Sequence, residues 1–113
     1  MKATLGFLNN IEKKVINAFV KELREKLGNE IITIRIFGSK VRGDFEKDSD
    51  IDIFVLVKRK GDIRDEISDI AAEYFFKYNV PLAPVVYSLL EYEKNKELGS
   101  FFFEQVEKDG VAL

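Results

Sequence analysis

Two short apolar runs constrain the fold of this 113-residue chain more than any other feature. The first, Ile31–Phe37, is rich in β-branched residues, and strand alternation predicts one shared face for Ile32, Ile34 and Ile36. The second, Ile51–Lys58, is apolar on both faces through most of its length. A strand of that kind is typical of the middle of a sheet that is covered on both sides. We therefore predict a sheet in which the second run is a central strand.

Two segments with helical periodicity accompany these strands. Leu8–Leu27 repeats apolar residues about every four positions, and Gly28 then provides a natural left-handed stop. Ile63–Asn79 shows a similar apolar stripe over about four turns. We predict that both are amphipathic helices with one side facing the core. The predicted stripe of the first is Ile11, Val15, Ile16, Phe19, Val20, Leu23 and Leu27, and that of the second is Ile63, Ile67, Ile70, Ala71, Tyr74 and Tyr78.

The C-terminal third predicts one more strand and short helices. Pro81–Ser88 is strand-like, and because its prolines cannot donate to a ladder, its first half belongs at an edge or in an irregular entry. Leu89–Glu97 predicts one or two helical turns. Ser100 is positioned to cap a last helix that Gly110 ends, and Val111–Leu113 follows as a short final strand.

Chain length and element order together predict the architecture. A chain of this length can build one modest core and is too short for two domains. The expected fold is α/β (α+β): a small mixed β-sheet flanked by helices, in a single domain of residues 1–113.

Composition narrows the chemistry that the chain can perform. It has no cysteine and no histidine, so thiolate and imidazole ligands are excluded, and any metal must be bound by oxygen, as magnesium or manganese is. A formal net charge of −2 argues against a general nucleic-acid binder, although basic residues cluster at Lys58–Lys60 and Arg64. No apolar run approaches the roughly 20 residues that span a bilayer, and Met1–Asn10 lacks a signal-peptide core. We expect a cytoplasmic protein.

The segment between the first two strands contains a phosphate-binding pattern. Gly38 lets a phosphate approach the backbone closely, and Ser39 adds a hydroxyl beside outward-pointing amides. Arg42, one turn after Ser39, can face the same anion or fix the loop, and Gly43 permits the chain to turn back. Taken alone, a Gly-Ser pair after a strand is usually only a turn.

Two carboxylates open the second strand. Asp50 and Asp52 are two residues apart, so alternation predicts that both project from one face, with Ser49 preceding them. Their mutual repulsion is relieved by a divalent cation, and two magnesium ions can stabilise both the attacking and the leaving oxygen of an in-line displacement. At average composition, the seven residues of the combined pattern coincide by chance about once in 10⁸ to 10⁹ placements. A nucleotide site is therefore favoured over a plain turn and a solvated strand edge.

The combined pattern resembles the signature of the DNA polymerase beta-like nucleotidyltransferase superfamily, here its minimal nucleotidyltransferase (MNT) group. The resemblance implies that Gly38 and Ser39 hold phosphates of ATP or another NTP, and that Asp50 and Asp52 bind Mg²⁺ ions. It also implies attack by an acceptor hydroxyl on the α-phosphate with loss of pyrophosphate. Minimal members are similar to antitoxins that pair with HEPN-domain toxins, and some transfer AMP to a tyrosine of that all-helical partner.

One departure from that family pattern leaves several functions open. The superfamily usually has a third carboxylate on the next strand, and Pro81–Ser88 contains none; the nearest carboxylates are Glu73, Glu91 and Glu93. The alternative to an adenylyltransferase is thus a catalytically degenerate MNT domain that acts as a binding-only antitoxin, with Phe101–Phe103 as a contact surface. A nucleic-acid tailing enzyme has little support because no basic channel is evident. The sequence leaves open a homo-oligomer.

Overall fold

A computed structural model of the chain describes residues 8–37, 50–59, 61–97, 106, 108 and 110–113. The described helices are α1 (Asn10–Leu27), α2 (Ile63–Tyr78) and α3 (Leu89–Glu97). The described strands are β1 (Ile31–Phe37), β2 (Ile51–Val57), β3 (Leu82–Ser88) and β4 (Val111–Ala112), and a 3₁₀ turn at Gly28–Glu30 joins α1 to β1. Each predicted element that falls within these ranges is present, with ends that move by two residues or fewer.

The four described strands form one mixed sheet in the order β3-β2-β1-β4. β1 pairs antiparallel with both β2 and β4, whereas β2 and β3 run parallel. The connection between β2 and β3 contains α2, as parallel neighbours require. The predicted fold class, a small mixed sheet flanked by helices, is confirmed, and β2 is the central strand that its two apolar faces indicated.

One face of the sheet packs against α1 and α2 to form the main core. The helix side of this core consists of Val15, Ile16, Phe19, Leu23, Ile67, Ile70 and Ala71, all buried. Val20, Leu27, Ile63 and Tyr74 are partly buried against it. Most of the predicted stripes are therefore confirmed.

Two residues of the predicted stripes are exposed instead. Ile11 is 59% exposed and Tyr78 is 53% exposed. Each residue in a series spaced four apart lies about 40° further around the helix than the one before it. The ends of such a series therefore point partly away from the core. Ile11 and Tyr78 are the terminal members of their two runs, and the prediction that they are buried was wrong.

β1 contains a register shift that changes which isoleucines face the helices. Ile31 is opposite Val57, but Thr33 is opposite Leu56, so Ile32 is the extra residue of a bulge. Ile31 is buried with Ile34 and Ile36, whereas Ile32 is 40% exposed. Strict alternation, which grouped Ile32 with Ile34 and Ile36 and put Ile31 on the other face, was wrong at both Ile31 and Ile32.

β3 lies at the edge of the described sheet, as its prolines predicted. The Ile51 amide donates to the Pro81 carbonyl at 2.9 Å. In a parallel ladder this puts the polar groups of residues 81 and 83 toward β2, and those of residues 82 and 84 toward the outside. Pro84 therefore costs no hydrogen bond to β2, because the backbone nitrogen of residue 84 faces away from β2.

A reciprocal cap begins α3 at the other end of β3. The Ser88 amide donates to Glu91 Oε1 at 3.0 Å, and the Glu91 amide donates to Ser88 Oγ at 3.2 Å.

The predicted final helix starting at Ser100 lies largely outside the described residues, although Val106 is buried. The short final strand is confirmed as β4 beside β1. Within the described ranges, none of the helices combines the length and the apolar content that crossing a membrane requires.

Glu22 links α1 to α2 through a tyrosine. The Tyr74 hydroxyl donates to Glu22 Oε1 at 2.8 Å, and Lys26 Nζ lies 2.8 Å from Glu22 Oε2. The Tyr74 ring also meets Phe19 edge-on, with 6.1 Å between the ring centroids. Hydrogen bonds from Lys26 and Tyr74 lower the pKa of Glu22, while burial and the bond to Glu22 raise the pKa of Tyr74 to about 12.

Removing the Tyr74 hydroxyl should weaken the fold and alter its response to base. We expect Tyr74→Phe to lower the free energy of unfolding by about 1 kcal/mol, since the Glu22 carboxylate loses a hydrogen bond. A raised tyrosine pKa stabilises the fold below about pH 10, and this contribution disappears as the pH rises through about 12. Urea unfolding between pH 7 and 12 should show that loss in the wild type and less of it in Tyr74→Phe. Tyr78→Phe is the control, and an equal effect there would contradict the assignment.

The bulge in β1 predicts unequal costs for two neighbouring isoleucines. Ile31→Ala should destabilise the protein by about 3 kcal/mol, because it leaves a cavity in the core. Ile32→Ala should cost less than about 1 kcal/mol, because Ile32 lies at the surface and is 40% exposed. Urea unfolding of the two variants under identical conditions measures the difference, and a larger cost at Ile32 would exclude this register.

Candidate active site

The register of the sheet determines what lies next to the predicted metal ligand Asp52. Asp52 is the second residue of β2 and is half-buried. Its antiparallel partner is Phe37, the last residue of β1, and its parallel partner is Ala83 on β3. Because neighbouring strands are about 4.8 Å apart, the end of β1 at Phe37 lies beside Asp52.

Asp50 lies just outside the same strand. It is exposed and immediately precedes β2, where the Ile51 amide bonds to the Pro81 carbonyl. That bond fixes the start of β2 to the start of β3. The two carboxylates are thus two residues apart at the N-terminal end of the central strand.

The predicted phosphate-binding residues Gly38, Ser39, Arg42, Gly43 and Ser49 lie outside the described residues. The structure does define the two ends of their segment, at Phe37 and Asp50. Both residues are at the same end of the antiparallel β1–β2 pair, since Phe37 is opposite Asp52. The proposed roles of these five residues stay predictions.

The sheet face that contains Asp52 is the one opposite α1 and α2, and it has its own smaller core. Phe54, 1% exposed, packs with Leu56 and Val106 there. The Phe54 ring lies 6.1 Å from that of Tyr87 and 6.0 Å from that of Tyr92, between centroids. The aromatic packing holds the strand firmly two residues beyond Asp52.

Arg35 adds a positive charge to this face that the sequence pattern of the site does not include. It is half-buried and is the cross-strand partner of Phe54 and of Ala112. A Cβ placed on Gly110 would come within 3.3 Å of Arg35 Cδ, so the C-terminal segment packs closely on its stem. The signal in the sequence was alternation: Arg35 and Phe37 are two residues apart in one strand.

The absent third carboxylate can now be assigned to a position. Ala83 is in register with Asp52 on the adjacent strand, so a methyl group stands where a further ligand on β3 would be placed. Glu91 cannot take that role from its observed position, because it caps α3 beyond the far end of β3. Glu73 is exposed on α2.

The donor set around Asp52 fits one magnesium ion better than two. Asp50 and Asp52 provide carboxylate oxygens, and Mg²⁺ typically binds through one or two carboxylates together with water and substrate phosphates. In the described part of the chain, no group of three or more Asp or Glu residues is arranged to hold a metal. A second ion would need ligands from outside the described residues.

Comparisons with known proteins identify the family. The nucleotidyltransferase domain family model matches residues 16–112. A Methanocaldococcus jannaschii protein named "putative protein adenylyltransferase" is 34% identical over 105 residues, which cover 90% of this chain and 97% of that protein.

Two solved structures share the fold. A mutant of the toxin–antitoxin MntA-HpeT has a TM-score of 0.55 at 25% identity, covering 87% of this chain and 70% of that one. A toxin–antitoxin with AMP-PNP has a TM-score of 0.55 at 21% identity, covering 84% of this chain and 69% of that one. With its mixed sheet, its paired carboxylates at the start of the central strand and the match over residues 16–112, the chain belongs to the nucleotidyltransferase domain family.

Proposed function

We propose that this protein transfers AMP from ATP to a hydroxyl group of a partner protein, using Mg²⁺. The observation that best supports the proposal is the Phe37–Asp52 pairing, which puts the last residue of β1 beside the second residue of β2. The name of the M. jannaschii relative agrees with this reaction. The solved toxin–antitoxin with AMP-PNP agrees with a nucleoside triphosphate as the donor.

In this proposal each motif residue has a separate task. Gly38 and Ser39 hold the β- and γ-phosphates, and Arg42 faces the same anion. Gly43 and Ser49 shape the segment that leads back to β2. Asp50 and Asp52 hold Mg²⁺, which supplies charge neutralisation at the phosphates when it is bound.

The transfer step follows from this placement. The acceptor oxygen forms a bond to the α-phosphorus, and the bond from that phosphorus to the β-phosphate oxygen breaks. Pyrophosphate leaves, and the hydroxyl proton passes to solvent, because Ala83 offers no base on β3. Rigid positioning of Asp52 by its two neighbouring strands contributes to catalysis by aligning the reacting groups.

The partner that fits best is a HEPN-type toxin, with this chain as its antitoxin. The solved toxin–antitoxin structures that share the fold agree with a toxin as the partner. We propose a cytoplasmic location, where ATP and such a toxin meet.

A second candidate is a binding-only antitoxin with a degenerate site. Ala83 favours it, because β3 has an alanine opposite Asp52 where the superfamily usually has a carboxylate. That carboxylate would bind metal and accept the proton of the acceptor hydroxyl. The two candidates differ in one measurable property, the appearance of AMP on the partner.

Label transfer distinguishes the two candidates. Protein incubated with Mg²⁺, ATP labelled at the α-phosphate and source-cell lysate should place label on one macromolecule. Asp52→Asn should reduce the labelling more than about 100-fold, because it removes a charge from the metal site. Asp62→Asn, an exposed aspartate near the opposite end of β2, is the matched control and should label normally. Full labelling by Asp52→Asn would reject the metal assignment, and ATP binding without any labelling would favour the binding-only antitoxin.

Restoring a carboxylate opposite Asp52 should strengthen metal binding. We expect Ala83→Asp to lower the Kd for Mn²⁺, used as a spectroscopic substitute for Mg²⁺, by about tenfold, equivalent to about 1.4 kcal/mol. Without metal the same variant should be less stable than Ala83→Asn, since its new charge repels Asp52. Electron paramagnetic resonance titration and thermal unfolding with and without metal measure both effects. Equal Mn²⁺ affinity in Ala83→Asp and Ala83→Asn would show that position 83 does not face the metal site.

A further inference from the structure

Arg35 is a half-buried cation on the same face of the sheet as Asp52. Arg35 and Phe37 lie two residues apart in β1, beyond its bulge, and Phe37 is opposite Asp52, so the three side chains share a face. Within the four described strands, the other residues on this face are uncharged. Among the described carboxylates, none forms an ion pair with Arg35. A partly desolvated guanidinium in this position is suited to binding an anionic ligand.

The Arg35 stem extends toward the end of the sheet at which Asp52 lies. β1 and β4 are antiparallel with Arg35 opposite Ala112, so Gly110 comes level with Phe37, two residues along each strand. A Cβ added to Gly110 would lie 3.3 Å from Arg35 Cδ. The side chain therefore runs from its own level of the ladder toward the level that Phe37 shares with Asp52.

Gly110 provides the space for that path. Its amide donates to the Val106 carbonyl at 2.8 Å, and a Cβ on Gly110 would collide with the same oxygen. A larger residue at position 110 would therefore displace either Val106 or the Arg35 stem. Because the C-terminal segment packs this closely on the stem, the arginine has less side-chain freedom to lose when it binds a ligand.

The separation between Arg35 and the metal site indicates an anion with several charged groups. β1 lies between β2 and β4, so two strand spacings, about 10 Å, separate the line of Asp52 from that of Gly110. A ligand that reaches from a metal ion on Asp52 to the Arg35 guanidinium must carry negative charge along its length and not at one point. The triphosphate of ATP has that form, whereas AMP has a single phosphate.

We propose that Arg35 binds the terminal phosphates of ATP and stabilises the pyrophosphate that AMP transfer releases. The inference rests on the proposed function, because ATP and the metal at Asp52 belong to it. When the bond between the α-phosphorus and the bridging oxygen breaks, its electron pair stays on pyrophosphate, and the acceptor proton passes to solvent. The permanently charged guanidinium donates two N–H groups to the phosphate oxygens and offsets the negative charge there.

Equilibrium binding in the presence of Mg²⁺ tests this assignment. By isothermal titration calorimetry, Arg35→Gln should raise the Kd for ATP about tenfold or more, because charged hydrogen bonds to the terminal phosphates are lost. The Kd for AMP should stay within about twofold of the wild-type value, because AMP lacks those phosphates. Arg35→Lys should give a Kd for ATP between those of the wild type and Arg35→Gln, since lysine keeps the charge but not the planar fork.

Thr33→Val and Arg64→Gln are the matched controls. Thr33 is half-buried on the same strand and face, two residues further from the Asp52 end, and Arg64 is an exposed arginine on α2. Both variants should bind ATP and AMP as the wild type does.

Urea unfolding without nucleotide shows whether Arg35→Gln is folded. Should it be unfolded, the wild type provides the test through NMR spectroscopy. The Nε–H resonance of Arg35 should shift when pyrophosphate and Mg²⁺ are added and stay in place when AMP is added. An unmoved resonance with pyrophosphate would reject the assignment.

The outcomes separate this inference from the function on which it rests. If the wild type binds no ATP, the proposed function fails and the assignment of Arg35 fails with it. If the wild type binds ATP and folded Arg35→Gln has the same Kd, the role of Arg35 alone is rejected. An equal rise in the Kd values for ATP and AMP also rejects it, since the contact would then not be to the terminal phosphates. A rise that is confined to ATP and absent from both controls supports it.

Discussion

The pairing of β1 with β2 is the interaction on which the rest of this structure depends. β2 hydrogen-bonds to a strand on each side, and five of its seven residues, Ile53–Val57, are buried in succession. Burial of that apolar surface provides much of the driving force for folding, at roughly 25 cal/mol for each square ångström removed from water. The same pairing aligns Phe37 with Asp52. Stability of the sheet and geometry of the carboxylates therefore arise from one register.

The two faces of the sheet illustrate a division between packing and chemistry. The face toward α1 and α2 is closed by apolar side chains, most of them aliphatic. The opposite face has an aromatic cluster around Phe54 at one end and Asp52 at the other. A carboxylate is tolerated at that position because it is near the start of the strand, where the side chain is only half-buried. The carboxylate pair is thus placed at the rim of the sheet, where a solvated ion and its phosphates have access.

Much of this architecture could be predicted from the sequence because long, regular patterns dominate it. The β-branched runs gave the strands, the four-residue repeats gave the helices, and two prolines indicated the edge strand. The errors occurred where the regularity ends: Ile11 and Tyr78 lie at the ends of their repeats, and Ile32 occupies a bulge that alternation does not reveal. The absence of a carboxylate in the third strand was evident from the sequence. Which residue faces Asp52 was not, because parallel register depends on contacts between distant segments.

The bulge at Ile32 also affects how the sequences of this family should be aligned. Ile31 and Thr33 lie opposite the consecutive residues Val57 and Leu56, so Ile32 contributes no partner to the ladder. A homologue that lacks this residue could keep the same buried isoleucines with a plain strand. An alignment without gaps would then shift the residues on one side of the bulge by one position and exchange interior with surface. Length variation is therefore best accommodated at this position, well before the Phe37–Asp52 pairing at the opposite end of the strand.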